Sequence, residues 1–123
     1  MYELNICMVY KHPAARLEKL IDEIKTGLNS INFNKKDHYK SGLIIIGDMN
    51  IDFNKEKAKL GIFERNLQVK VKFTETPTND KGNQLDWVFT NMEGRKGVKL
   101  QEFVYESWIS DHKPICLQIK YSK

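Results

Sequence analysis

Leu43-Ile44-Ile45-Ile46-Gly47-Asp48-Met49-Asn50 is the stretch on which the reading of this chain turns. Four apolar residues follow one another without a polar interruption and stop at Gly47. A run that does not alternate is expected of a central strand covered on both faces. Asp48 and Asn50 then stand at the end of a rigid element, where side chains from neighbouring strands can converge. Taken alone, an aspartate and an asparagine after a strand are also turn formers that bond their own backbone. The stretch therefore predicts a strand and leaves two readings for its end.

Working outward to the N-terminus, Leu4 to Tyr10 is short and apolar and is followed by His12-Pro13, where proline biases its predecessor toward extended geometry. This predicts a first strand. Leu17, Leu20, Ile21, Ile24, Leu28 and Ile31 recur at three- and four-residue steps, with Glu18, Lys19, Asp22, Glu23 and Lys25 facing away, which predicts an amphipathic helix. The polar stretch Asn32 to Ser41 leads into the central strand.

Working outward to the C-terminus, Leu60, Phe63 and Leu67 share a face of a second, weaker helix despite Gly61. Val69, Val71 and Phe73 alternate with Lys70 and Lys72 as a half-buried strand. Thr74 to Gln84 carries Pro77, Asn79, Asp80 and Gly82 and reads as a surface loop. Leu85, Trp87 and Phe89 alternate next, placing Asp86 and Val88 on the opposite strand face. Asn91 to Gly97 turns back, Val98 to Tyr105 reads as a strand, and Ile115, Leu117, Ile119 and Tyr121 alternate in a last one. The order β-α-β-α-β-β-β-β predicts an α/β fold, one mixed β-sheet with two helices on one face. The other sheet face is left without a cover.

The 123 residues suffice for a single domain over residues 1–123 with one core. Apolar residues at 41% and charged residues at 29% exclude a disordered or membrane-embedded chain. No apolar run approaches the roughly 20 residues that span a bilayer. Met1-Tyr2-Glu3-Leu4 lacks the basic and apolar parts of an export signal, so an intracellular setting, nucleus or cytoplasm, is expected. Cys7 and Cys116 lie in apolar segments without metal-ligand spacing and predict a reduced, buried pair. The net charge of +4 suits a polyanionic partner such as nucleic acid. The lysines are dispersed, and no patch singles that partner out.

Three clusters put acidic, amide or imidazole groups beside apolar strands: Gly47-Asp48-Met49-Asn50, Leu85-Asp86, and Ser110-Asp111-His112 before Lys113-Pro114-Ile115. Tyr10, closing the first strand, is a fourth candidate. Each has an ordinary reading: a turn at Asp48 and Asn50, a solvated or structural histidine at His112, a core aromatic with its hydroxyl at the rim at Tyr10. Asp86 is harder to set aside, because aspartate is a poor strand former and a buried carboxylate requires a partner.

Together, in this order, the clusters resemble the endonuclease/exonuclease/phosphatase (DNase I-like) superfamily, which carries G-D-x-N after a buried strand, a later L-D-x-x-F strand, and S-D-H-x-P-I before the last strand. Gly47 to Asn50, Leu85 to Phe89 and Ser110 to Ile115 match these motifs, and Val9-Tyr10-Lys11-His12-Pro13 is similar to the family's mid-domain strand. The wording from Leu85 to Asn91 is closest in flavour to the endonuclease domains of mobile elements.

The resemblance implies the C-terminal half of a DNase I-like four-layer sandwich and a Mg²⁺-dependent phosphodiesterase acting on nucleic acid, with DNA the expected substrate. It implies that Asp48 orients or deprotonates the attacking water and that Asn50 holds the phosphate and positions Asp48. His112 would donate to a non-bridging oxygen with Asp86 on its other nitrogen, Asp111 would lie near the metal, and Tyr10 near the scissile phosphate. The family's early asparagine and its metal-binding glutamate have no counterpart in this sequence, so the site is expected to be incomplete. Three functions stay open: a nuclease completed by a second chain, a catalytically inactive truncated relative serving as a nucleic-acid-binding or protein-interaction module, and a phosphatase acting on small esters. The bare sheet face predicts a homodimer through it, or pairing with a separate N-terminal half.

Overall fold

The computed structural model describes residues 3–33, 41–72, 82–104 and 115–121, without the side chains of 102–104 and 121. The elements follow the expected order: β1 (Glu3–Tyr10), α1 (Leu17–Ser30), β2 (Ser41–Asp48), α2 (Lys57–Leu67), β3 (Lys70–Val71), β4 (Asp86–Thr90), β5 (Val98–Val104) and β6 (Ile115–Tyr121). Phe73, expected in the third strand, and the loop over 74–81 lie outside the described residues, as do Asp111 and His112.

A mixed sheet runs β1-β2-β4-β3. β1 and β2 are parallel, with α1 in the connection between them, while β4 is antiparallel to both β2 and β3. β2 lies inside the sheet, as its unbroken apolar run demands. Both helices cover one face. Leu17, Leu20, Ile21, Ile24 and Leu28 of α1 and Phe63 and Leu67 of α2 are buried against Leu43, Ile45, Trp87 and Phe89. Phe53 completes an aromatic cluster there, its ring centroid 5.1 Å from Trp87 and 5.8 Å from Phe63, and Phe63 lies 4.4 Å from Phe89. Edge and tilted contacts of this kind add to the area these rings bury. Trp87 Nε1 donates to the Ile51 carbonyl at 2.8 Å, so the buried indole keeps a partner.

β5 and β6 form their own antiparallel ladder. Their inward residues Val98, Leu100, Ile115, Leu117 and Ile119 pack on Ile44, Val88 and Met92, on the sheet face opposite the helices. The uncovered face expected from the sequence is thereby narrowed to the outer row of β1. Leu4, Ile6, Met8 and Tyr10 stand 37%, 60%, 84% and 68% exposed.

The expected buried cysteine pair is not found. Cys7 is half-buried against the helices, whereas Cys116 is exposed and both are free. The cause is the period of two in β6, which turns Ile115, Leu117 and Ile119 inward and Cys116 outward. At the sheet end away from Asp48, Thr90 Oγ1 donates to the Leu43 carbonyl and the Leu43 N–H donates to Asn91 Oδ1, both at 2.8 Å. These bonds fix the register from which the opposite end is built. Among the described residues no helix is long and apolar enough to cross a membrane.

Candidate active site

The register sets the site. Tyr10 of β1 pairs with Asp48 of β2, and Asp48 pairs with Asp86 of β4. Directly paired residues project from the same sheet face, so the three side chains form one row across the sheet end. That face is the one opposite the helices. Tyr10 is largely exposed, which removes its reading as a core aromatic.

Gly47 makes the parallel approach of β1 and β2 possible. Its φ is +150°, and a Cβ placed on it would come within 1.9 Å of the Val9 carbonyl oxygen. The glycine before Asp48 therefore has a local reason: no side chain fits between the strands at that point. Beyond the pair, the Lys11 N–H donates to the Asp48 carbonyl and the Met49 N–H to the Leu85 carbonyl, each at 2.9 Å. All three strand ends are thus tied together at the row.

Asp48 also closes a local turn. Its Oδ1 accepts the Asn50 N–H at 2.9 Å, and Asn50 takes a left-handed φ of +49°. Asn50 Nδ2 donates to the Lys11 carbonyl at 2.6 Å, binding this turn to the end of β1. The turn reading and the site reading of Gly47-Asp48-Met49-Asn50 are compatible: the bonds that make the turn hold the Asp48 carboxylate at the sheet end.

Asp48 and Asp86 are cross-strand neighbours of like charge, an arrangement that is unfavourable unless a cation, a proton or a donor offsets it. Two carboxylates together are hard oxygen donors of the type Mg²⁺ takes, commonly one or two with water and phosphate oxygens making up the rest. Among the described residues no group of three or more His, Cys, Asp or Glu gathers to hold a metal. His112 and Asp111, expected beside this row, lie outside the described residues, and with them the expected bond between Asp86 and His112.

Lys11 is a component whose role the sequence did not single out. It is 4% exposed, and its Nζ donates to the carbonyls of His12 at 2.9 Å and Ala15 at 2.7 Å. Burial above all, and then the nearby Lys59 charge, hold its pKa below the usual lysine value, while Asp48 and Glu56 pull the other way. A lysine closing a strand before His-Pro reads as solvated, and only the fold of the turn after it reveals that it is enclosed.

A mixed sheet with two helices on one face and a smaller ladder on the other is half of a DNase I-like sandwich. Among solved structures, that of the Haemophilus ducreyi cytolethal distending toxin matches this fold over 100% of the chain, with a TM-score of 0.59 and 18% sequence identity. This chain spans 50% of the chain it matches. No protein-family model and no curated protein matches the sequence.

Proposed function

We propose that the protein is a metal-dependent phosphodiesterase acting on nucleic acid, completed by a second chain, with its own part of the site at the sheet end that carries Tyr10, Asp48, Asn50 and Asp86. The observation that carries this reading is the single row of Tyr10, Asp48 and Asp86 across three paired strands. Asp48 takes the proton of the attacking water as the water oxygen bonds to phosphorus and the bond to the leaving oxygen breaks. Asn50 and Tyr10 hold the phosphate, and His112, oriented by Asp86, donates to a non-bridging oxygen that gains charge in the transition state. Asp111 would hold Mg²⁺, which would supply positive charge to the phosphoryl oxygens. The wording from Leu85 to Asn91 supports the finer placement with endonucleases of mobile elements.

Loss of a general base costs about 100-fold or more in rate. Cleavage of a labelled DNA duplex in Mg²⁺ is expected to fall by that factor in Asp48→Ala, and to vanish in EDTA, with the circular dichroism spectrum unchanged. Cleavage that survives in Asp48→Ala would sink this mechanism. A second reading is a non-catalytic nucleic-acid-binding relative, since the metal-binding glutamate of the family it resembles has no counterpart in this sequence. Duplex binding with no cleavage of duplex, single-stranded or small-ester substrates decides for it.

We also propose that two copies of the chain pair through the outer row of β1. Support comes from the concentration of exposed apolar side chains on that row.

A further inference from the structure

Beside the Asp48–Asn50 turn, on the side where α1 and α2 begin, lies a cavity of about 520 Å³. Asn50 lines it, and so do three cations, Lys11, Arg16 and Lys59, against two anions, Glu18 and Glu56. Glu56 and Lys59 are paired with each other at 2.9 Å on a half-exposed rim and Glu18 is exposed, so Lys11 and Arg16 carry the excess positive charge of the wall. Lys11 is enclosed in the wall, with two of the three donors of an ammonium used on carbonyls. Arg16 occupies the N-cap position of α1 in extended geometry and makes no side-chain capping bond. The first turn of α1 therefore adds N–H groups without a side-chain acceptor to the same wall, and with them partial positive charge.

We propose that this cavity is a phosphate subsite, taking the nucleic-acid backbone phosphate next to the one held at Asp48 and Asn50. The proposal rests on the nucleic-acid reading above and extends it from the reacting phosphate to its neighbour. Asn50 is the hinge of the argument, since it belongs to the turn that ends the catalytic row and also lines the cavity. Asn50 thereby joins the end of the row to Arg16 and Lys59 on the cavity wall. Lys11 and Lys59 are close enough that the charge of one is felt by the other. Glu56 and Asp48 offset part of that repulsion, and a phosphate between the two cations would offset more of it.

The test separates the cavity from the chemistry. Titration of ¹⁵N-labelled protein with inorganic phosphate is expected to shift the amide resonances of Leu17 and Glu18 in a saturable way. The shift is expected to vanish in the Arg16→Ala/Lys59→Ala double variant. In EDTA, where cleavage plays no part, the double variant should bind a fluorescent DNA duplex about 10-fold more weakly, with the slope of log K against log salt reduced by about one. A Lys25→Ala/Lys99→Ala variant removes the same charge from exposed positions elsewhere and should keep the wild-type slope. Both positions of the test variant are exposed, so folding is expected to survive, and a thermal melt checks it.

Absence of a phosphate-dependent shift, or an unchanged slope in the double variant, overturns the subsite. That outcome leaves the nuclease reading standing if Asp48→Ala still abolishes cleavage. The reverse result, a lost slope in a protein that never cleaves, keeps the subsite and overturns the nuclease reading.

Discussion

Two rows of side chains alternate along β1, and they live in different worlds. Cys7 and Val9 point toward the helices and pack on the main core, while Leu4, Ile6, Met8 and Tyr10 point away and stay exposed. The same division runs into β2, where Leu43 and Ile45 join the helix-side core and Ile44 is buried under the β5–β6 ladder. β2 is thus apolar because both of its faces are covered, whereas the outer row of β1 is apolar although it stays exposed. An apolar row this exposed, next to one that a second sheet has covered, is the feature on which the proposed pairing rests. Tyr10, the last member of that row, is also the first member of the candidate catalytic row.

The comparison is broken most strongly on the helix side. Phe63 is fully buried in the aromatic cluster with Phe53 and Phe89. Phe63→Ala is expected to cost about 3–5 kcal/mol, the range for large-to-small changes in cores, read from urea unfolding. A loss below 1 kcal/mol would mean that this face is not the core. Next comes Gly47→Ala, where the added Cβ meets the Val9 carbonyl. Overpacking usually costs about 1–3 kcal/mol, and the upper end is expected, because the obstacle is backbone. The same variant should lose more cleavage than stability alone explains, since β1 is pushed off β2 where Tyr10 and Asp48 are paired. Equal stability of Gly47→Ala and wild type would refute the close approach.

The eight elements were legible in the sequence mostly from local pattern: a step of three to four for Leu17 to Leu28, of two for Trp87 to Phe89 and Ile115 to Ile119, an unbroken apolar run for Leu43 to Ile46, and the His12-Pro13 stop after β1. What was not legible is non-local. Alternation in β5 and β6 says which residues face inward, but not that the two strands pair with each other and lie over Ile44 and Val88 instead of joining the sheet. The same blindness misplaced Cys116 among buried residues. Of the candidate site, the motifs announced Asp48, Asn50 and Asp86, but the common row of Asp48 and Asp86 with Tyr10 depends on strand register, which is set from the far end by Thr90 and Asn91. The enclosure of Lys11 depends on the His12–Ala15 turn folding back over it, and no local pattern encodes that.

On the bare row the effects on folding shrink and the effect on assembly grows. Met8 is 84% exposed, and surface substitutions of this kind usually stay within about 0.5 kcal/mol. Met8→Lys should therefore melt like the wild type, yet place two like charges across a two-fold interface. Sedimentation at micromolar concentration is expected to give twice the chain mass for the wild type and the single-chain mass for Met8→Lys. A monomeric wild type would overturn the homodimer and turn attention to a separate partner half.

The smallest effect compares two lysines, one enclosed and one introduced on the bare row. In the folded chain, burial and the Lys59 charge hold the Lys11 pKa below the 10.5 of an ordinary lysine. Between the folded value and 10.5, the unfolded chain binds the proton that the folded chain has released. Stability therefore rises with pH across that alkaline window and takes no slope from this residue below it. The neighbours Asp48 and Glu56 oppose the shift, so the rise is a remainder left after partial cancellation. It is isolated by subtraction: the unfolding free energy of wild type minus that of Lys11→Met should climb as pH approaches 10.5, because methionine has nothing to titrate. The lysine of Met8→Lys, exposed to water, should give no such climb when the same subtraction is made against the wild type. A Lys11 difference that is flat or falls over the window would mean that the two lysines share one environment, and that the turn from His12 to Ala15 does not enclose the ammonium as described.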